Sequence, residues 1–97
     1  MKTILNFKKT SHFEEQARKR HIDEFLISLC IAKGETQRIT NDKSRITLRK
    51  EKIIEAAKYG YISLADYKGL MKIVIIARNK FLITVFARYG DTGILYN

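Results

Sequence analysis

Met71-Lys-Ile-Val-Ile-Ile-Ala-Arg78 and Phe81-Leu-Ile-Thr-Val-Phe-Ala-Arg88, separated by Asn79-Lys80, decide the fold. Both runs are rich in β-branched and aromatic residues, the side chains that suit a pleated, half-buried surface. Asn tolerates the positive φ that a two-residue hairpin turn demands, so the two runs predict an antiparallel hairpin. With Asn79-Lys80 as the turn, Thr84 pairs opposite Ile75, and Leu82, Thr84, Phe86 and Arg88 share one face. Both strands are nearly continuously apolar, which predicts central strands covered on much of both faces.

Helix signals lie upstream. Ser11-His12-Phe13-Glu14 fits a capping box, in which Ser11 caps one amide and Glu14 reaches back to another. Glu14 and Glu15 fall in the first turn and Arg18, Lys19 and Arg20 in the last, which complements the helix dipole. A helix over 12–20 follows. Asp23 caps a second helix, whose Phe25, Leu26, Leu29 and Cys30 share a face and which Gly34 stops. Arg38-Ile39-Thr40 and Ile46-Thr47-Leu48 read as short strands joined by a turn at Asn41-Asp42-Lys43-Ser44. Lys50 to Lys58 reads as a helix and Tyr59 to Ala65 as extended. At the ends, Met1, Ile4, Leu5 and Phe7 suggest a short strand, as do Ile94 and Leu95 after the Gly90-Asp91-Thr92-Gly93 turn. The 97 residues form one domain with no linker or repeat. The predicted class is α+β, with two N-terminal helices packed on a mostly antiparallel sheet.

The formal net charge is +9, from 19 Lys and Arg against 10 Asp and Glu. A positive field of that size attracts phosphate polymers and is the first mark of a nucleic-acid binder. Net charge speaks to partners and solubility, not to fold. Cys30 is the single cysteine and lies in the apolar run FLISLCIA. It reads as a small core hydrophobe, in keeping with a reducing, cytoplasmic setting. One Cys and two His make no zinc pattern, and no metal or cofactor is expected. No signal peptide is apparent, and no apolar run approaches the length of a membrane span, so no membrane partner is expected.

Two places interrupt this bland pattern. His12, Gln16 and Arg20 follow i, i+4, i+8 and share one helix face. An imidazole, an amide and a guanidinium on one stripe suit a phosphodiester. A neutral imidazole can take a proton from a ribose 2′-hydroxyl, and an arginine can neutralise charge on the phosphorane. The default reading of such a stripe is the solvated face of a surface helix. Thr84 interrupts a nearly pure apolar strand, where a buried hydroxyl needs a partner. Its default reading is a satisfied core threonine.

Read together, these pieces carry a resemblance. The run from His12 to Ile22, followed by Asp23-Glu24-Phe25-Leu26 and Ala32-Lys33-Gly34-Glu35, resembles the opening of the domain of unknown function 4258 family. Phe81-Leu-Ile-Thr84-Val-Phe is similar to that family's closing strand. The match spans residues 11–35 and 71–88, about half the chain. The family is held to be related to RelE-like and BrnT-like toxins, so the resemblance implies a RelE-like, barnase-like ribonuclease fold that cleaves RNA without metal. It also implies His12, Arg20 and Thr84 as catalytic residues. The sequence departs from the family at Gln16, where Arg is usual, and at His21, where Gly is usual.

The leading expectation is a metal-independent endoribonuclease toxin that uses 2′-hydroxyl attack. His12 is general base or acid, Arg20 stabilises the phosphorane and Thr84 positions a phosphate oxygen. Lys8, Lys9, Gln16, Arg18, Arg45, Arg49 and Arg88 are the expected RNA-binding residues. An acidic antitoxin or immunity protein is then the expected protein partner. Two alternatives stay open: a non-catalytic RNA- or DNA-binding module, which Gln16 favours, and a basic protein-interaction domain.

Overall fold

The first helix opens at Thr10 rather than at Ser11. In the computed structural model, which describes residues 7–60 and 69–89, the Thr10 hydroxyl accepts the Phe13 amide at 3.1 Å and donates to the Leu82 carbonyl at 2.8 Å. The Thr10 backbone N–H donates to the same carbonyl at 3.2 Å. A capping box is a local motif, and a partner 72 residues away selects Thr10 over Ser11. Helix α1 spans Ser11–Lys19 and buries Phe13 and Ala17.

Its end follows the Schellman pattern. The His21 N–H donates to the Arg18 carbonyl at 3.2 Å and the Ile22 N–H to the Ala17 carbonyl at 2.9 Å. Ile22 and Ala17 both join the core, which supplies the hydrophobic contact the motif usually carries. His21 occupies the left-handed position, with φ of 56°. That conformation favours glycine, because a Cβ there crowds the following carbonyl.

Helix α2, Glu24–Lys33, is capped as predicted, with the Asp23 carboxylate accepting the Leu26 N–H at 2.9 Å. Its buried face is Leu26, Ile27, Cys30 and Ile31, so the predicted face is rotated. Phe25 is exposed and Leu29 half-buried in a cleft between this helix and the next. Gly34 ends α2, but by close approach and not by a left-handed turn: its φ is −73°. A Cβ there would lie 2.4 Å from the Cys30 carbonyl and 2.9 Å from that of Thr47.

The sheet has the order β1-β5-β4-β3-β2. Strand β1 is Lys8–Lys9, β2 Glu35–Arg38, β3 Lys43–Arg49, β4 Leu70–Arg78 and β5 Phe81–Tyr89. Only the β1–β5 pairing is parallel. Helix α3, Lys50–Lys58, follows β3 directly, as predicted. The strand predicted at 38–40 begins earlier, because β3 pairs Thr47 with Glu35 and Ser44 with Arg38. Ile39 and Thr40 lie in the connecting turn, both donating to the Lys43 carbonyl. Tyr59 and Gly60 form the turn after α3, and residues 61–65 lie outside the described residues. So do the candidate strand residues Met1, Ile4, Leu5, Ile94 and Leu95. Phe7 is half-buried against the core.

The hairpin forms, with Asn79 at φ of 52° in its turn. Its register differs in one way that matters. Ala77 pairs with Leu82 but Ile76 pairs with Thr84, so Ile83 is an extra residue in β5. A bulge of this kind reverses the facing of everything beyond it. Thr84 therefore stands opposite Ile76, not Ile75. Leu82 belongs to the core face, while Thr84, Phe86 and Arg88 alternate with the core residues Val85 and Ala87. The expectation that Leu82 shares their face is corrected. Coverage also differs: β5 pairs with β1 only at Phe81 and Leu82, and Phe86 is 36% exposed.

All three helices bury residues in one cluster with Ile46, Leu48, Ile73, Ile75, Leu82 and Val85. They therefore cover one sheet face. Cys30 lies inside the cluster, where burial pushes its thiol up to about 12, against a backbone hydrogen bond from Leu48 that lowers it. It packs as a core residue.

Two substitutions at the helix ends have opposite expected signs. Gly34→Ala forces a Cβ onto two backbone carbonyls and lowers unfolding free energy by about 3 kcal/mol. His21→Gly relieves the left-handed strain and raises it by about 0.5–1 kcal/mol. Urea denaturation of both variants measures this.

Candidate nucleic-acid interface

The face of the sheet opposite the helices is built by alternation. Because Ile46 and Leu48 point into the core, Arg45, Thr47 and Arg49 of β3 point away from it. In β4 the same logic turns Lys72, Val74 and Ile76 outward, and in β5 Thr84, Phe86 and Arg88. Thr47 and Val74, at the middle of this face, are buried. Phe86 and Phe81 remain 36% and 48% exposed.

The cross-strand register concentrates charge at one end. Arg49 pairs with Lys72, and Lys72 with Arg88, so three cations stand side by side on adjacent strands. Strands lie about 4.8 Å apart, and like charges directly opposite each other destabilise a sheet. One of the three is compensated: Arg49 Nε lies 3.3 Å from Glu35 Oε1, in an exposed pair. Lys72 and Arg88 make no ion pair among the described residues. The cations line an open cavity of about 480 Å³, together with Lys50, Glu51 and Tyr89. Glu51 is the only carboxylate in that lining among the described residues. Helix α3 begins at the same place, and its N-cap Arg49 makes no side-chain capping bond. Further along the face stand Arg45, and then Lys43 paired across from Arg78. Arg78 is partly offset by Asp42, at 3.7 Å.

Three of the predicted RNA-binding residues, Arg45, Arg49 and Arg88, are thus gathered on one face. Lys72 belongs with them and was missed, because in an apolar strand it reads as an interruption. A signal did exist. Lys72-x-Val74-x-Ile76 and Thr84-x-Phe86-x-Arg88 each place a cation at one end of a period-two stripe, and Arg45-x-Thr47-x-Arg49 places one at both ends. The other predicted RNA-binding residues lie elsewhere. Lys8 is exposed on β1. Lys9 hydrogen-bonds Glu24, which offsets its charge. Arg18 lines a groove between α1 and α2 with Glu14 and Glu24.

The α1 stripe is also present. His12 and Arg20 are exposed and Gln16 is half-buried. Arg20, the C-cap of α1, donates from its guanidinium to the Val85 carbonyl at 2.7 Å. That bond occupies one of five donors and anchors the side chain against β5. Thr84 precedes Val85 in the chain but stands on the opposite sheet face. The structure therefore groups His12, Gln16 and Arg20 on α1 and sets Thr84 with the Arg45–Arg49 side of the sheet. Among the described residues, no helix is long and apolar enough to cross a membrane.

A rung of like charges costs stability. Replacing its centre, Lys72→Gln, is expected to raise unfolding free energy by about 0.5 kcal/mol, most clearly at low salt. Denaturant melts at two ionic strengths check this.

Comparison with protein families, curated proteins and solved structures finds no match to this chain.

Proposed function

We propose that this chain is an RNA-binding domain whose contact surface is the sheet face opposite the helices. The observation that carries the reading is the Arg49–Lys72–Arg88 rung, continued by Arg45 on the same face. Cations placed at a stability cost, with little internal compensation, suit an external anion. Phe81 and Phe86 add exposed aromatic rings on which unstacked bases can lie. Single-stranded RNA fits this combination better than duplex, whose bases are already stacked on one another.

Binding of a fluorescent single-stranded RNA in EDTA is expected to weaken linearly in log salt, with a slope of about −0.7 per phosphate neutralised. Arg45→Glu is expected to weaken it at least about tenfold and to reduce the slope by about 0.7. Lys19→Glu, at the end of α1, serves as the control. Equal losses from the two variants would remove the assignment to the sheet face. Absence of salt-sensitive binding would remove the reading.

A second reading adds catalysis: a metal-independent endoribonuclease toxin, neutralised by an acidic antitoxin. The His12-Gln16-Arg20 stripe, with His12 and Arg20 exposed, favours it. In this reading His12 takes the 2′-hydroxyl proton, the 2′-oxygen attacks the adjacent phosphorus, and the 5′-oxygen leaves with a proton. The products carry a 2′,3′-cyclic phosphate and a 5′-hydroxyl. Arg20 offsets charge on the phosphorane with the donors that Val85 leaves unused, whereas Thr84, on the opposite sheet face, is not grouped with His12 and Arg20 and takes no part in this step. Cleavage in EDTA that His12→Ala slows by about 10²–10⁴-fold supports this. RNA left intact by the wild-type protein refutes cleavage and leaves the binding reading standing.

A further inference from the structure

We infer that the cavity around Arg49, Lys72 and Arg88 is a site for a phosphomonoester, the terminal phosphate of an RNA strand or a free phosphate. This rests on the reading of the chain as an RNA-binding domain and assigns one part of that surface a narrower task.

Charge density separates the two kinds of phosphate. An internal phosphodiester carries a single negative charge. A phosphomonoester carries about −1.5 to −2 at neutral pH, because its second pKa is near 6. Among the described residues, Arg49, Lys50, Lys72 and Arg88 line the cavity against Glu51 within it and Glu35 beside Arg49, four cations to two carboxylates, and the balance of +2 exceeds the charge of one diester. Long, flexible arginine and lysine side chains on neighbouring strands can converge on one group. Arg49 and Arg88 suit bidentate contact with phosphate oxygens, and Lys72 between them supplies a point charge.

Position supports the same ligand. The rung lies at the end of the sheet face, where β3 passes into α3 and β5 reaches Tyr89. Beyond Arg45 the face leads to Lys43 and Arg78 at the far end. A strand laid along it with its terminus at the rung sets its internal phosphates near the more scattered cations. The first turn of α3 adds backbone N–H groups at the same cavity, and its N-cap side chain does not use them. Glu51 in the same lining offsets part of the positive charge, and the four lining cations outnumber it.

The test compares three forms of one RNA decamer: 5′-phosphorylated, 3′-phosphorylated and hydroxyl at both ends. Anisotropy is read at pH 7.5 and at pH 5. One phosphorylated form is expected to bind at least tenfold more tightly than the hydroxyl form at pH 7.5. That preference should shrink at pH 5, where the monoester approaches a single charge. Lys72→Gln and Arg88→Gln should each abolish it, whereas Arg78→Gln at the far end should preserve it. Competition by inorganic phosphate that removes only the preference also supports the site. If the preference follows the 5′ end, the ligand is a 5′-phosphate; if the 3′ end, a 3′-phosphate. Equal binding of all three RNAs overturns this inference while leaving RNA binding intact. Binding of none overturns both. A preference that survives in both Lys72→Gln and Arg88→Gln places the site elsewhere and overturns the assignment.

Discussion

Between Leu82 and Thr84, strand β5 carries one residue more than β4 opposite it. Ile83 absorbs the mismatch, and two consequences follow. On the outer edge, the Leu82 and Val85 carbonyls both become available to α1, one to Thr10 at its start and one to Arg20 at its end. The helix is therefore tied at both ends to an edge that β1 covers only at Phe81 and Leu82. On the sheet faces, the bulge sends Leu82 and Val85 together into the core, although an odd number of steps separates them. Thr84, Phe86 and Arg88 are left on the other side. A regular hairpin would keep Leu82 on their face and offset the pairing by one residue.

That facing brings Arg88 beside Lys72 and so completes the row of cations. Local consistency argues against such a row, because neighbouring strands usually avoid like charges in direct opposition. Departures of this kind concentrate at functional surfaces, where binding sets the requirement and the remaining core carries the cost. Here the core is a single cluster to which all three helices contribute. The helix-covered face holds the fold together, and the opposite face is free to hold charge.

The two ends of α1 divide the labour in another way. His21 takes the left-handed position of a Schellman turn with a side chain where glycine is the relaxed choice. The turn directs Ile22 into the core and leaves Arg20 at the C-cap, within reach of Val85. Arg20 thus has a structural duty whether or not it has a chemical one. Substituting it would disturb the seating of α1 as well as any reaction, which is why His12, exposed on the first turn, reports more cleanly on chemistry.

Much of this architecture was legible in the residues. The hairpin at 71–88, the helix at 50–58 and the Asp23 cap are local: β-branched runs, helical spacing and a side chain three residues from its amide need no distant partner. The basic charge and the individual residues Arg45, Arg49 and Arg88 were legible too. Tertiary structure decided the rest. Thr10 rather than Ser11 opens α1 because Leu82 lies beside it. Phe25 is exposed because α2 turns Ile27 and Ile31 toward the sheet. Gly34 is needed because the β3 backbone passes too close for a Cβ. Lys72 joins Arg49 and Arg88 because register is a property of pairs of strands, and no single strand contains it. The sequence by itself determined a basic α+β chain with its hairpin and helices; only the packed sheet decided which cations stand together.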